Sequence, residues 1–315
     1  MDRNLTLEAV RLTEAAALYA SRYMGKGDEN TSYFSATEAM ARVFSTIEIK
    51  GLIVIGSDEE SSELIDGTFV GTGTGPELDL AVKPLDGKKT CAIGGYNALS
   101  VMAVGHRGSF FKTPKLYMEK IAVGKEAKGV VDITQPVDIN IKRVARAKGK
   151  YIEDITVCLL DRERNNAHVQ QIRKTGAKIK FIRDGDISGA ISTALEDNAI
   201  DILMGIGGAK EGVLGAAALK CLDGDMQARY IYQNESERTL IRDLGEDPDR
   251  IFSISDMVTG DDIMVSATGV TDGLILPGVR YFSGGAKTNS IVIRHKTHTL
   301  RTVQAIHHFD YKPIF

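Results

Sequence analysis

The sequence predicts an α/β protein with the layers of an α+β sandwich, in which helices cover the faces of β-sheets. Short apolar segments alternate with amphipathic segments of helical spacing, most regularly between residues 156 and 222. The chain has 315 residues, of which 43% are hydrophobic and 26% are charged, and this is enough apolar material for a large core. We expect two tightly packed subdomains, residues 1–150 and 151–315, because the alternation becomes regular near residue 150.

The first half of the chain predicts two helices followed by strands. Apolar residues at helical spacing predict a helix from Thr6 to Met24, ended by glycines, and a second helix from Thr37 to Ile47. Apolar runs bounded by turn residues predict strands that we assign to one sheet. These strands are 52–55, 78–82, 98–104, 108–111 and 119–123.

The second half predicts strands and helices in turn. The predicted strands are 156–160, 178–182 and 200–206, with further β segments at 263–267 and 290–294. The predicted helices between them are 165–176, 187–195 and 211–222. Strands separated by short helices indicate a sheet with helices on its faces.

Composition excludes several classes of function. The net charge is −3 and no run of lysine and arginine stands out, so nucleic acid is not expected as a partner. No apolar stretch is long enough to span a bilayer, and the polar N-terminus does not resemble a signal peptide, so we expect a cytoplasmic protein. The cysteines Cys91, Cys158 and Cys221 stand singly in apolar surroundings, which predicts reduced thiols in the core.

Four polar loops follow predicted strands, where functional groups gather in α/β sheets. The loops are Gly56–Glu60, Lys83–Lys88, Arg183–Asp186 and Gly207–Gly212. Each loop alone is typical of a solvated turn or a helix cap. Together they supply carboxylates for a divalent cation and a Gly-Gly pair whose backbone N–H groups could meet a phosphate.

These loops and other segments, in this order, resemble the class II fructose-1,6-bisphosphatases of the bacterial glycerol-operon type. The segments that carry the resemblance include Arg11–Ala16, Gly25–Asp28, Val70–Gly73, Tyr117–Lys120, Asp184–Asp186, Gly207–Gly212, Leu222–Met226 and Ser266–Gly269. The resemblance implies a sugar-phosphatase fold like that of fructose-1,6-bisphosphatase and inositol monophosphatase. It also implies a homodimer or homotetramer, and it assigns the degenerate metal site to residues 1–150 and sugar-phosphate contacts to residues 151–315.

The resemblance places five metal-ligand positions on this chain, of which two keep a carboxylate, Asp86 and Glu211. The other three are Tyr33, Ser57 and Lys83, and Lys88 stands where the family has a catalytic Thr. The loss of anionic oxygen ligands disfavours binding of Mg²⁺ or Mn²⁺, and the positive charge of a lysine at the site disfavours it further. Neighbouring acids could replace the lost ligands, and Glu59, Asp58 and Asp79 are the candidates.

The positions that contact substrate in the family are better preserved. The resemblance implies a phosphate-contacting Tyr117, a basic loop, acids that hold sugar hydroxyls and a glycine whose backbone contacts the ligand. The implied substrate-binding residues are Asp86, Gly87, Lys88, Tyr117, Arg162, Glu163, Arg164, Asp184, Gly185, Asp186 and Gly208.

Three hypotheses stay open at this point. The first, which we rank ahead, is a homologue that binds a sugar bisphosphate, with fructose 1,6-bisphosphate the expected ligand, and has weak or no catalysis. The second is an active phosphatase that uses Mn or Mg held by relocated ligands. The protein of the first hypothesis, which only binds its ligand, needs no cofactor. The third is a subunit that forms a hetero-oligomer with an active paralogue. Whether the chain is an enzyme is therefore left undecided by the sequence.

Overall fold

The computed structural model describes residues 5–59, 61–196 and 199–311. The chain divides into two compact units, unit 1 (Met1–Phe110 with Gly260–Phe315) and unit 2 (Phe111–Thr259). This division differs from the expected boundary at residue 150. The physical reason is strand pairing, because the late segment Met264–Gly269 pairs with Leu99–His106 and so returns to the first sheet.

The helices of the described residues are nine in number, with the first three in unit 1 and the rest in unit 2. They are α1 (Leu5–Ser21), α2 (Glu29–Phe44), α3 (Lys88–Ala92), α4 (Val137–Lys148), α5 (Asn166–Thr175), α6 (Asp186–Ser192), α7 (Ala209–Cys221), α8 (Glu235–Asp243) and α9 (Ile254–Met257).

The strands form one sheet in each unit. Unit 1 contains β1 (Lys50–Ile55), β2 (Phe69–Val70), β3 (Glu77–Asp86) and β4 (Leu99–His106), then β11 (Met264–Gly269), β12 (Arg280–Phe282), β13 (Gly285–Arg294) and β14 (Thr299–His308). Unit 2 contains β5 (Tyr117–Val123), β6 (Thr156–Leu160), β7 (Lys178–Ile182), β8 (Ile202–Gly208), β9 (Asp225–Ile231) and β10 (Ile251–Ser253).

The sheet of unit 1 is mixed, with strand order β12-β13-β11-β4-β3-β1-β2 and β14 paired to β13. Only the β1–β3 pair is parallel among the pairs described in this sheet. Helices α1 and α2 pack together and cover one face, where Leu12, Met40, Phe44 and Leu80 are fully buried. Helix α2 also packs against β3.

The sheet of unit 2 has the order β10-β9-β5-β8-β6-β7. Strands β6, β7 and β8 are parallel, whereas β5 runs antiparallel to β8 and β9. A core that includes Ile141, Val144, Val157 and Ile172 lies between this sheet and helices α4 and α5. The carboxyl ends of the parallel strands therefore lie at one edge, beside the start of β5.

Several sequence predictions of local structure need correction. Helix α2 begins at Glu29 rather than at Thr37, because Asp28 caps it by accepting a hydrogen bond from the backbone N–H of Thr31 at 2.9 Å. Residues 108–111 form no strand. The segment predicted at 119–123 is part of β5, which belongs to the sheet of unit 2 and not to that of unit 1.

Candidate active site

Tyr33 and Ser57, at two of the five positions that the resemblance assigns to metal ligands, bind each other. Tyr33 lies in α2 and is buried, and Ser57 follows β1 and is also buried. The Tyr33 hydroxyl donates a hydrogen bond of 2.6 Å to Oγ of Ser57, which also accepts the backbone N–H of Glu59 at 3.0 Å. The hydroxyls therefore satisfy one another where the resemblance implies carboxylates.

Lys88, where the resemblance implies a catalytic Thr, forms an ion pair with Glu59. Gly87 has a φ of 85°, a left-handed conformation that glycine adopts without strain, and it turns the chain from β3 into α3. Lys88 is the first residue of that helix, and its Nζ lies 2.9 Å from Oε1 of Glu59 and 5.6 Å from the centre of the Tyr33 ring. We call Tyr33, Ser57, Glu59 and Lys88 the unit 1 cluster.

Lys83 and Asp86 lie on β3, which extends to Asp86, beyond the strand end at Val82 that the sequence predicts. The pairing of β3 with β4 shifts register between Lys83 and Asp86. Pro84 lies in this interval and has no backbone N–H to donate to the neighbouring strand. Asp86 is buried and Lys83 is half-buried. The segment 83–86 is thus an irregular strand end rather than a loop.

The residues of unit 1 fit a divalent cation poorly. Mg²⁺ and Mn²⁺ need several hard oxygen ligands, and of the positions in this unit that the resemblance assigns to metal ligands only Asp86 has a carboxylate. The carboxylate of Glu59 already pairs with Lys88. Among residues 5–59, 61–196 and 199–311, no group of three or more His, Cys, Asp and Glu side chains is placed to hold a metal ion.

Asp79, one of the candidate replacement ligands, already has protein partners. Its Oδ1 lies 3.0 Å from NH1 of Arg107, and its Oδ2 accepts the backbone N–H of Gly108 at 2.7 Å. The side chain is buried and both oxygens hold the turn after β4. These contacts compete with a metal ion for the Asp79 carboxylate, and recruitment of a metal by Asp79 stays a prediction.

Most predicted substrate positions lie together at one edge of the unit 2 sheet. Arg162 and Arg164 follow β6, Asp184 follows β7, and Gly208 ends β8. Tyr117 begins β5 and stands opposite Gly208 in the antiparallel pair, which brings it to the same edge. This arrangement follows directly from the strand directions.

The two arginines at this edge are held in place by neighbours. Arg162 donates from NH2 to Oδ1 of Asp184 at 2.6 Å. The guanidinium carbon of Arg164 lies 4.5 Å from the centre of the Tyr117 ring, and Nε of Arg164 donates to the carbonyl of Ile206 at 3.0 Å. Both cations are partly exposed, so they remain accessible to an anion.

Asp186 has a different environment from Asp184. It is the first residue of α6, after Gly185 with a φ of 83°, and it forms a buried ion pair with Lys120 of β5. Nζ of Lys120 also donates to the carbonyl of Gly208 at 2.8 Å. Glu211, in the first turn of α7, packs so close to Gly208 that a Cβ there would lie 1.9 Å from Oε2 of Glu211.

The sequence analysis missed Lys120 and an ionic group around Glu119. Oε1 of Glu119 lies 2.8 Å from Nε2 of His168, and its Oε2 accepts from Nε of Arg229 at 2.7 Å. Burial raises the pKa of Glu119, but the hydrogen bonds from His168 and Arg229 outweigh burial and hold this pKa below its usual value. For both Glu119 and Lys120, a charged side chain inside an otherwise apolar strand is the sequence signal that could indicate a functional residue.

The structure therefore gathers the predicted residues into two groups, each within one unit. Tyr33, Ser57, Glu59 and Lys88 form the unit 1 cluster, and Asp86 lies at the end of β3. The second group, in unit 2, comprises Tyr117, Arg162, Glu163, Arg164, Asp184, Gly185, Asp186, Gly208 and Glu211. Glu163 is exposed beside the two arginines.

The layered α+β fold, with basic and acidic side chains at the ends of its strands, is that expected of a sugar phosphatase. The family model for "Bacterial fructose-1,6-bisphosphatase, glpX-encoded" matches residues 3–307, and this chain belongs to that family. A fructose-1,6-bisphosphatase class 2 of Haemophilus influenzae is 40% identical, with 98% of each chain covered. Fructose-1,6-bisphosphatase 1 class 2 of Escherichia coli K12 is 38% identical over 99% of this chain and 97% of its own.

Among the described residues, no helix has both the length and the apolar character needed to cross a membrane.

Proposed function

We propose that this protein is a sugar-bisphosphate phosphatase that hydrolyses the 1-phosphate of fructose 1,6-bisphosphate. The observation that carries the proposal is identity of 38–40% from end to end with proteins named fructose-1,6-bisphosphatase class 2. The sequence ranked a binder without catalysis ahead of an enzyme. The comparisons favour the enzyme, because the similarity covers nearly the whole chain.

The edge of the unit 2 sheet supports a phosphorylated substrate. Arg162 and Arg164 offer two guanidinium groups, which match the geometry of phosphate oxygens and stay charged at every physiological pH. The Tyr117 ring under Arg164 keeps that side chain in one orientation. Asp184, beside Arg162, has the carboxylate that a sugar hydroxyl requires as an acceptor.

The catalytic group is the least preserved part of this site. The family's chemistry rests on divalent metal ions, which supply charge stabilisation and an activated water. Asp86 and Glu211 are the carboxylates kept at family ligand positions, with Glu59 and Asp58 as neighbouring acids. Because the residues of unit 1 fit a cation poorly, no catalytic step is assigned to a metal. Mn or Mg dependence, a homo-oligomer and a cytoplasmic location stay predictions.

A second candidate function is binding of a sugar bisphosphate without turnover. The unit 1 cluster favours it, because Lys88 and the Tyr33–Ser57 pair replace groups that the family uses for catalysis. An ammonium group can neutralise a bound phosphate, but it does not lower the pKa of a water as a metal does. The protein would then act as a sensor or as a partner of an active paralogue.

One pair of measurements separates the two candidates. Phosphate release from fructose 1,6-bisphosphate is followed with and without Mn²⁺ or Mg²⁺, beside calorimetric titration of the same compound. Phosphate release that disappears in the double variant Asp86→Asn with Glu211→Gln supports the phosphatase. Binding without release supports the second candidate, and neither binding nor release overturns both.

A matched control has the same change of charge at exposed positions. Asp154 and Glu196 have side chains that are 58% and 79% exposed, in ion pairs remote from the predicted site residues in sequence. Asp154→Asn with Glu196→Gln should release phosphate at the wild-type rate. A loss of activity in this control would show that net charge, rather than the two retained carboxylates, governs the reaction.

A further inference from the structure

Lys120 is a buried cation that links two strand-end turns of unit 2. Its side chain is 3% exposed, and Nζ contacts Oδ2 of Asp186 and the carbonyl oxygen of Gly208, the latter at 2.8 Å. Asp186 begins α6 after β7, whereas Gly208 ends β8 and directly precedes α7. One ammonium group thus ties together the β7–α6 and β8–α7 turns.

The glycines of the Gly207–Gly212 segment make room for this lysine. A Cβ on Gly207 would lie 2.1 Å from Oδ2 of Asp186 and 2.9 Å from Nζ of Lys120. A Cβ on Gly212 would lie 3.4 Å from Cδ of Lys120. A side chain at position 207 would therefore displace the Lys120–Asp186 pair, and Gly212 lines the stem of the lysine.

The burial of this pair gives Lys120 an electrostatic role as well as a geometric one. A carboxylate that is removed from water needs a compensating cation or several hydrogen-bond donors. Without Lys120, the negative charge of Asp186 would lie uncompensated in the interior. It would also repel a phosphate dianion that binds to the arginines at the same edge of the sheet.

We infer that Lys120 is a positioning residue for sugar-phosphate binding, holding Asp186 and the Gly208 carbonyl at a fixed separation. It does not touch the substrate, and it acts through the two turns that it joins. This inference rests on the proposed function, because the ligand is the sugar bisphosphate of that proposal. If Lys120 had only a structural role, its loss would destabilise unit 2 but would leave the affinity of fully folded protein for the sugar bisphosphate unchanged.

The test compares Lys120→Met with Lys148→Met. Lys148 is a matched control, since it also pairs with a buried aspartate of unit 2, Asp201, and its own side chain is 15% exposed. Both variants are titrated with fructose 1,6-bisphosphate in a calorimeter, at a temperature where circular dichroism shows them folded. We expect the dissociation constant to rise by about 10- to 100-fold in Lys120→Met, as when a group that orients a contact residue is lost. Lys148→Met should bind like wild type.

A second variant keeps the test valid if Lys120→Met does not fold. Lys120→Gln retains an N–H donor for the Gly208 carbonyl but loses the charge opposite Asp186, and it should show the same direction of change. Wild-type affinity in folded Lys120→Met or Lys120→Gln overturns the inference and leaves the proposed function intact. Wild-type protein that does not bind fructose 1,6-bisphosphate overturns the proposed substrate, and this role of Lys120 with it.

Discussion

The hydroxyl of Tyr33 donates a 2.6 Å hydrogen bond to Oγ of Ser57, and this bond joins α2 to the segment after β1. Both side chains are buried, so neither can exchange its partner for water without opening the structure. The bond lies where the family resemblance implies two carboxylates. The substitutions therefore act as a pair, which explains how the chain tolerates both without burying an unsatisfied group.

Removal of this bond should lower stability by a measurable amount. Tyr33→Phe and Ser57→Ala should each reduce the free energy of unfolding by about 1 kcal/mol, because each leaves a buried hydroxyl or its partner unsatisfied. Urea denaturation measures the loss. The double variant should lose less free energy of unfolding than the sum of the losses in the two single variants. Losses that add up would contradict the hydrogen bond. Tyr151→Phe is the control, since that side chain is 79% exposed.

Restoring the residues that the resemblance implies should strengthen metal binding only when four positions are changed together. Lys83→Asp with Lys88→Thr removes two cations, but Ser57 and Tyr33 still supply no carboxylate. We expect Mn²⁺ affinity, measured by electron paramagnetic resonance, to rise clearly above that of the wild type only after Ser57→Glu and Tyr33→Asp are added in a folded protein.

The control for this series is Lys142→Thr with Lys178→Asp, because both lysines are exposed on unit 2. It makes the same change of charge and should bind no additional Mn²⁺. Mn²⁺ affinity in the Lys83→Asp, Lys88→Thr pair equal to that of the fourfold variant would show that Tyr33 and Ser57 do not limit the site.

Asp201 should make stability depend on acid pH. Burial raises its pKa, but hydrogen bonds from Lys148, Lys150 and the backbone N–H of Thr156 outweigh burial and lower it. A carboxyl with a lowered folded-state pKa stabilises the fold above its unfolded pKa of about 4 and loses this contribution as the pH falls through the folded value. Asp201→Asn should therefore be less stable than wild type at neutral pH, with a difference that shrinks below about pH 4.

Urea unfolding across that range of pH measures the difference. The exposed Asp154→Asn is the control and should follow the wild-type curve, because an exposed ion pair contributes little. A difference between Asp201→Asn and wild type that stays constant with pH would contradict the assignment of the stabilising charge to Asp201.

The cysteines should resist thiol reagents in the native state. All three are buried, and burial raises the pKa of Cys158 to about 12 and that of Cys91 to about 11, so almost no thiolate forms near pH 8. An aromatic disulfide reagent should label three thiols only after denaturation. Tyr151→Cys, at an exposed position, calibrates the fast reaction. Fast labelling of native wild-type protein would contradict the burial.

The sequence predicts the elements whose signals are local. The strands Thr156–Leu160 and Lys178–Ile182 have the predicted bounds, because each is a short run between polar turns. Helix α5 ends at Gly176, which adopts a φ of 88° as a stop residue does. Helix α4 was missed although Val137, Ile141 and Val144 follow helical spacing, because charged residues between them lower the apolar signal.

The sequence cannot predict features that depend on distant partners. The ion pair of Lys120 with Asp186 joins residues 66 positions apart, so the sequence shows a lysine inside an apolar strand but does not show the partner that compensates its charge. Likewise the Tyr33–Ser57 bond spans 24 positions and turns two lost ligands into one neutral contact. The sequence thus predicts which residues form the candidate site, whereas the fold shows which of their side chains already bind a partner within the protein.

The products formed from fructose 1,6-bisphosphate decide whether the protein is a phosphatase. With Mn²⁺ or Mg²⁺ present, we expect equal amounts of phosphate and fructose 6-phosphate, in a reaction that stops when Asp86→Asn is combined with Glu211→Gln. Calorimetric binding of the sugar bisphosphate with no phosphate release at any concentration of either metal would contradict the phosphatase, and would make the unit 1 cluster the mark of a protein that binds its ligand without cleaving it.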